Sequence, residues 1–217
     1  MKVLVACEES QAVTKEFRRL GHEAYSCDIQ PCSGGHPEWH IQGDVLEVIN
    51  DGWDMMIAFP PCTYLSNAGA CRLYPTKGVL DEKRYQKGLA AKEFFLKLLN
   101  APIHKIAVEN PVHSTIFNMP EYTQQIEPYQ FGHPYTKKTR LWLKNLPELK
   151  PTNIVEPIAP YVPAGTGRKN RAKYGAAKRG DDSKNRSKTF PGIGRAMAEQ
   201  WSDCKADVQI DLMGVIT

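Results

Sequence analysis

The sequence predicts an α/β fold with a mostly parallel sheet, and three observations carry that expectation. Short strand-like runs recur at Lys2–Ala6, Glu23–Asp28, Trp53–Phe59 and Ile103–Val108. Helical stretches alternate with them: Gln11–Leu20, with Val13, Phe17 and Leu20 on one face, and Asp81–Asn100, where Leu89, Phe94, Phe95, Leu98 and Leu99 repeat at helical spacing while Lys87, Lys92 and Lys97 fall outside. Turn residues separate the two kinds of segment, as Gly21 does after the first helix and Pro60-Pro61 and Asn110-Pro111 do after two of the strands.

Beyond about Gln124 the pattern changes. Gln125–Phe131 and Thr139–Leu143 read as strands with no long helix between them, which suggests an antiparallel hairpin at one edge of the sheet. Pro147, Pro151, Pro157, Pro160 and Pro163 mark an extended connector, and Gly192–Trp201 reads as a last helix. The expected organisation is a core over 1–146, a connector with a basic loop over 147–190, and a C-terminal helix and tail over 191–217 that pack back on the core.

With 217 residues, 41% hydrophobic and 24% charged, the chain has the balance of one globular domain. That excludes collagen-like, coiled-coil and wholly disordered classes. No apolar run approaches the roughly 18–20 residues of a membrane span, and MKVLVACEESQ is too briefly apolar for a signal peptide. A cytoplasmic protein, without a membrane partner and monomeric, is expected. The six cysteines contain no CxxC and are expected to be reduced. Cys27, Cys32, His36 and His40 loosely mimic a zinc set, but their intervals are not those of usual fingers, so a surface turn without metal is expected.

Net charge is +4, unevenly distributed. From Gly165 to Lys188 stand nine cations, namely Arg168, Lys169, Arg171, Lys173, Lys178, Arg179, Lys184, Arg186 and Lys188. Asp181 and Asp182 reduce the segment to +7, so the remainder sums to −3. Glycine-rich and almost without large apolar residues, the stretch reads as a mobile loop suited to a polyanion.

In a doubly wound sheet, ligands bind beyond the carboxyl ends of the strands. The residues expected on that rim are Cys7–Gln11 after the first strand, Asp28 at the end of the second, Asp44 after a brief further segment, Pro60-Pro61-Cys62 after the third clear strand and Glu109-Asn110-Pro111 after the fourth. Asp28 suits a ribose diol, and Asp44 an adenine amino group. Two prolines stiffen the backbone before Cys62, which presents its thiol where a nucleophile is useful; Glu109 stands at the equivalent point of the next strand, where a carboxyl manages protons.

Phe59-Pro60-Pro61-Cys62 followed by Ser66 resembles the Pro-Cys motif of DNA cytosine-5 methyltransferases, and Val108-Glu109-Asn110-Pro111 resembles their Glu-Asn motif. Thr136-Lys137-Lys138-Thr139-Arg140 is similar to their basic motif through its final arginine, and Gly192–Trp201 to their closing helix. The resemblance spans about residues 1–143 and returns at 186–201. It implies a Rossmann-like fold dependent on S-adenosylmethionine, with Cys62, Glu109 and Arg140 catalytic on a flipped cytosine. Glu8, Ser10, Asp28, Ile29, Asp44 and Pro60 would hold the cofactor. Double-stranded DNA would meet Ser66, Lys137, Lys138, Arg168, Lys169, Arg171, Lys173, Lys178 and Arg179. Small members of this kind occur in phages and prophages, where the role is evasion of restriction.

Two departures from the family are visible. Its glycine-rich first motif is here Ala6-Cys7-Glu8-Glu9-Ser10-Gln11, without glycine, and its folded target-recognition domain is replaced by the proline-rich connector and basic loop. The second predicts broad or very short sequence preference, since base readout needs rigidly held side chains. Two alternatives stay open: an enzyme acting on RNA or a free cytosine nucleotide, and a degenerate, non-catalytic nucleic-acid-binding module. Neutralising the Arg168–Lys188 cluster should weaken DNA binding uniformly across sequences and flatten its salt slope; unchanged binding in a titration over salt would show a merely solvated segment.

Overall fold

Strand β1 (Lys2–Ala6) is an inner strand of a seven-stranded sheet, with Val3 to Ala6 fully excluded from solvent. It pairs in parallel with β2 (Glu23–Asp28) and β4 (Met55–Ala58); β3 (His40–Gln42) extends one side, and β5 (Lys105–Pro111) extends the other, all in parallel. Strand β8 (Thr139–Lys144) is antiparallel to β5, and β6 (Gln124–Ile126) pairs antiparallel with β8 at the edge. The order is therefore β3-β2-β1-β4-β5-β8-β6. It is a Rossmann-like fold: a doubly wound parallel block that switches direction between β1 and β4, with one reversed strand before the last. The computed structural model describes residues 1–70, 72–161 and 188–202. Arg168, Lys169, Arg171, Lys173, Lys178 and Arg179 lie outside the described residues, as do Cys71 and the tail beyond 202.

Alternation along the strands sends side chains into two cores. On one face Leu4, Met56, Ala58, Ile106, Val108 and Trp142 pack against Phe95 and Leu98 of α4 (Glu82–Leu99) and Val45 of α2 (Val45–Val48). On the other, Val3, Val5, Met55, Ile57, Ala107 and Leu141 meet Phe17 of α1 (Thr14–Arg19) and Ile193, Met197 and Trp201 of the last helix, α5 (Pro191–Ser202). Asp81 caps α4 by accepting from Arg84 N at 3.0 Å. Gly88 lets Phe117 lie against that helix, since a Cβ there would come within 2.1 Å of the ring. Trp201 is fully buried, and its indole N–H donates to Pro147 O at 3.0 Å, which ties α5 to the start of the connector.

Three differences from the sequence expectation have a visible cause. Helix α1 begins at Thr14, not Gln11, because Gln11 is left-handed (φ 56°) and buried. Its side chain instead clamps the 31–40 turn, donating to His36 O at 2.7 Å and accepting from His36 N at 3.1 Å. Strand β5 continues through Asn110-Pro111, because β8 pairs with it as far as Pro111↔Thr139. Strand β6 stops at Ile126, where Pro128 opens a 3-10 turn over Pro128–Gln130. The two-residue strands β7 (Tyr135–Thr136) and β9 (Ala159–Pro160) pair in parallel and attach the connector beside the main sheet. No described helix is long and apolar enough to cross a membrane.

The first turn of α1 is held by Glu8. Its buried carboxylate accepts from Val13 N (2.7 Å), Thr14 N (3.2 Å) and Thr14 Oγ1 (2.7 Å), satisfying donors that a helix start leaves orphaned. Glu8→Ala should therefore cost about 2–3 kcal/mol in a urea unfolding experiment. Stability equal to the parent would mean that α1 does not depend on this cap.

Candidate active site

Adjacent parallel strands β4 and β5 run in register, Ala58 opposite Val108, so the loop after β4 emerges beside the last residues of β5. Beyond β4, Pro60 is buried and Pro61 exposed, and the chain turns at Cys62, whose carbonyl accepts from Ser66 N at 3.0 Å. The loop is then fastened to the segment beyond β5. Asn67 N donates to Val112 O (3.0 Å), Ser114 N donates to Leu65 O (2.8 Å), and Ser66 bridges His113. Arg84, at the start of α4, reaches the same loop, donating to Thr63 O (3.3 Å) and Gly69 O (3.1 Å) with its guanidinium over the Tyr64 ring. Gly69 belongs to the short helix α3 (Asn67–Ala70), and a Cβ there would lie 2.0 Å from Thr63 O, so only glycine fits so close a return. Cys62 is half-buried and carries a thiol, not a disulfide.

Glu109 is the first residue of β5 beyond the β4 pairing. Burial pushes its carboxyl above the ordinary carboxylate range; the positive charge of Lys137 pulls it the other way, and no hydrogen bond contributes. A carboxyl so placed tends to hold a proton and offer it. Arg140 lies on the opposite face. It pairs with Asn110 across the β5–β8 ladder, whereas Glu109 pairs with Leu141. The Arg140 guanidinium lies 4.3 Å from the Tyr122 ring centroid and 3.2 Å from His113 Nδ1. Burial, then Arg140, lowers the His113 pKa, which keeps that ring neutral. Among the described residues Asn110 is fully buried with both side-chain polar atoms unpartnered, as is Arg140 Nε. The structure thus brings Cys62 and Glu109 to one rim and turns Arg140 to its other side.

A second group of expected residues lies around the ends of β1 and β2. Cys7 is left-handed (φ 58°), so the glycine-free first turn takes, at Cys7 and Gln11, the backbone conformation glycine would adopt freely. Burial pushes the Cys7 thiol far above its usual range, and the charges of Asp28 and Asp44 push it further, so both acids lie near it. Asp28 accepts from Gln30 N at 2.8 Å, Ile29 is 75% exposed, and Asp44 caps α2 by accepting from Leu46 N at 3.0 Å. An open cleft of roughly 720 Å³ runs from Ser10 and Gly34 to Tyr161, Phe190 and Pro191. Gly34 sits tight against Ser10 and Gln11, where a Cβ would meet the Ser10 carbonyl at 2.6 Å.

Two expected contacts are put to internal use instead. Glu8 points into α1 as its cap, because its carboxylate satisfies three buried donors. Ser66 is 8% exposed, and its hydroxyl accepts from Gly69 N at 3.2 Å. Lys138 is exposed and Lys137 half-buried. The parts that sequence reasoning missed are Arg84, His113 and Tyr122; Arg84 was legible only as the third residue of a capped helix. Cys27, Cys32, His36 and His40 do not form a metal cluster: among the described residues no group of three or more His, Cys, Asp or Glu side chains is arranged to hold an ion. His36 stacks on Trp39, and His40 bonds Ser26 Oγ and Gln30 O.

No protein-family model matches the chain, and no curated protein matches it. Among solved structures it is similar to a prophage-encoded protein of E. coli, described provisionally as a DNA modification methyltransferase, at 17% identity and a TM-score of 0.44. The match covers 71% of this chain and 51% of that one, so the chain spans about half the length of that neighbour.

The burial of Glu109 makes a stability prediction. Its folded-state pKa is raised, so ionisation costs the folded state above that pKa and costs nothing below the ordinary carboxylate range. Glu109→Gln should therefore melt higher than the parent at pH 8, and the gain should vanish by pH 4. An equal gain at both pH values would assign it to packing.

Proposed function

We propose that this chain is a DNA cytosine-5 methyltransferase of broad or short sequence preference, acting on a cytosine flipped from double-stranded DNA. The observation that supports it best is the pairing of neighbouring strands β4 and β5, whose continuations are hydrogen-bonded together and carry a half-buried thiol after Pro-Pro and a carboxyl whose pKa burial raises. Cytosine C5 is a weak nucleophile. Addition of the Cys62 sulfur to C6 makes C5 electron-rich, and a proton held on Glu109 at N3 balances the charge that moves into the ring. After C5 has been alkylated, loss of its proton restores the double bond and expels the Cys62 thiolate.

The residues near Cys7 fit S-adenosylmethionine, which when bound supplies an electrophilic methyl group. Asp28 offers a carboxylate at the end of β2 for the ribose diol, as expected of a doubly wound fold. Ile29 offers an exposed apolar side chain next to it for a flat base, Asp44 an acceptor, and Ser10 a polar wall in the cleft that α5 closes. The basic segment at 165–188 supplies cations for phosphates from outside the described residues.

The test is a duplex carrying 5-fluorocytosine, which has no C5 proton to lose and so traps the sulfur–carbon bond. With S-adenosylmethionine present, the parent should form a complex that survives denaturing electrophoresis. Cys62→Ser should lose both trapping and methylation while keeping the parent's melting temperature. Methylation retained in that variant would remove the nucleophile.

A further inference from the structure

The 31–40 turn and the end of α1 enclose an open cavity of roughly 580 Å³ that no residue of the candidate active site lines. Its walls are Lys15, Arg18, Arg19, His22, His36 and Trp39, with Gly21, and among the described residues no carboxylate joins them. Both walls are built. The buried side chain of Gln11 grips the His36 backbone, donating to its O at 2.7 Å and accepting from its N at 3.1 Å, and the His36 ring stacks on Trp39 at 3.8 Å. Arg18 is fixed by three contacts. Its Nε donates to Ala24 O at 2.7 Å, and its guanidinium lies 4.7 Å from the Tyr25 ring centroid and 5.1 Å from that of Trp39. Its two Nη groups make no hydrogen bond among the described residues. Glu16 and Glu199 take Arg19, both at 2.9 Å, and Glu38 takes His36 at 3.0 Å. Lys15 and Arg18 have no ion pair among the described residues; Lys15 Nζ donates to Gly34 O at 3.3 Å.

We propose that this cavity binds phosphate groups of a nucleic-acid strand outside the catalytic rim. A guanidinium held flat between two rings presents its N–H groups in one orientation, which suits phosphate oxygens, and Lys15 adds its charge from one turn earlier in α1. A strand is favoured over a single anion because the cations continue. Lys15 also lines the cleft that reaches Lys188, Tyr161 and Phe190. Those two rings lie 4.6 Å apart, with the Lys137 ammonium 6.0 Å from each centroid. Charges strung from Lys137 and Lys188 through Lys15 to Arg18 match a chain of phosphates. Helix α1 runs from the end of β1 to the start of β2, so Arg18 lies toward the opposite edge of the parallel block from the Cys62 loop. A contact there adds salt-sensitive affinity without reading sequence. That the strand is DNA rests on the methyltransferase reading; the phosphate chemistry does not.

The Trp39 ring forms part of the wall and reports on the cavity, and Trp39→Phe identifies its share of the fluorescence. In full-length protein a DNA duplex should quench that share. Lys15→Gln and Arg18→Met should each flatten the salt slope of duplex binding by about 1 relative to the parent, and Lys15→Arg should restore it. Lys15 is exposed, so its variants carry the test if Arg18→Met does not fold. Quenching by inorganic tripolyphosphate but not by duplex would overturn the strand in favour of a small anion. Parental slopes in both variants, with Trp39 unresponsive to either probe, would overturn the site. A Trp39 response to duplex in a protein that methylates no DNA would keep the site and reject the enzyme; methylation with parental slopes and a silent Trp39 would keep the enzyme and reject the site.

Discussion

The site depends on one constraint: the chain leaves the sheet at the ends of two neighbouring parallel strands, and backbone hydrogen bonds bind the two exits together. The pairs Asn67 N–Val112 O and Ser114 N–Leu65 O, with the bridge between Ser66 and His113, make the Cys62 loop and the continuation of β5 a single piece. Such bonds ignore side-chain identity, so the loop's position is set by the strands and not by the residues it displays. Arg84 adds a brace from α4, and the missing side chain at Gly69 permits the close return. A thiol and a carboxyl carried by such a frame are placed by the backbone of two neighbouring strands.

Around that frame the environment divides the chemistry. On the α5 side, burial of the Glu109 carboxyl raises its pKa, a state that favours a held proton. The α4 side carries Arg140 on Tyr122 and a neutral His113, an arrangement suited to rigidity. Near the ends of β1 and β2, burial first and then the negative charges of Asp28 and Asp44 raise the Cys7 pKa and keep that thiol protonated.

Most of the sheet was legible because buried parallel strands read as apolar runs and because turns announce themselves by glycine and proline. What was not legible depended on partners distant in sequence. Asn110-Pro111 looks like a strand stop, yet β8 pairs across it and carries β5 two residues past Glu109. Gln11 looks like the start of a helix, but its side chain finds His36 and the backbone turns left-handed to allow it. Asp28 stands at the end of β2 as expected, Glu109 lies inside β5 and not after it, and Glu8 and Ser66 are drawn inward by donors and acceptors that only the folded chain supplies. The face on which Arg140 falls follows from strand parity, which requires the register with β5 and not the local motif.

The aromatic pair Tyr161–Phe190 has a further consequence. These two residues stand on either side of the stretch that carries the basic charge, and their rings touch. Whatever the intervening chain does, it departs from and returns to a single doorway beside Lys137. Closing a longer excursion through such a doorway raises the entropic penalty only logarithmically. Lineages could therefore exchange one insert for another, short or domain-sized, while the sheet, the thiol and the carboxyl stay where they are.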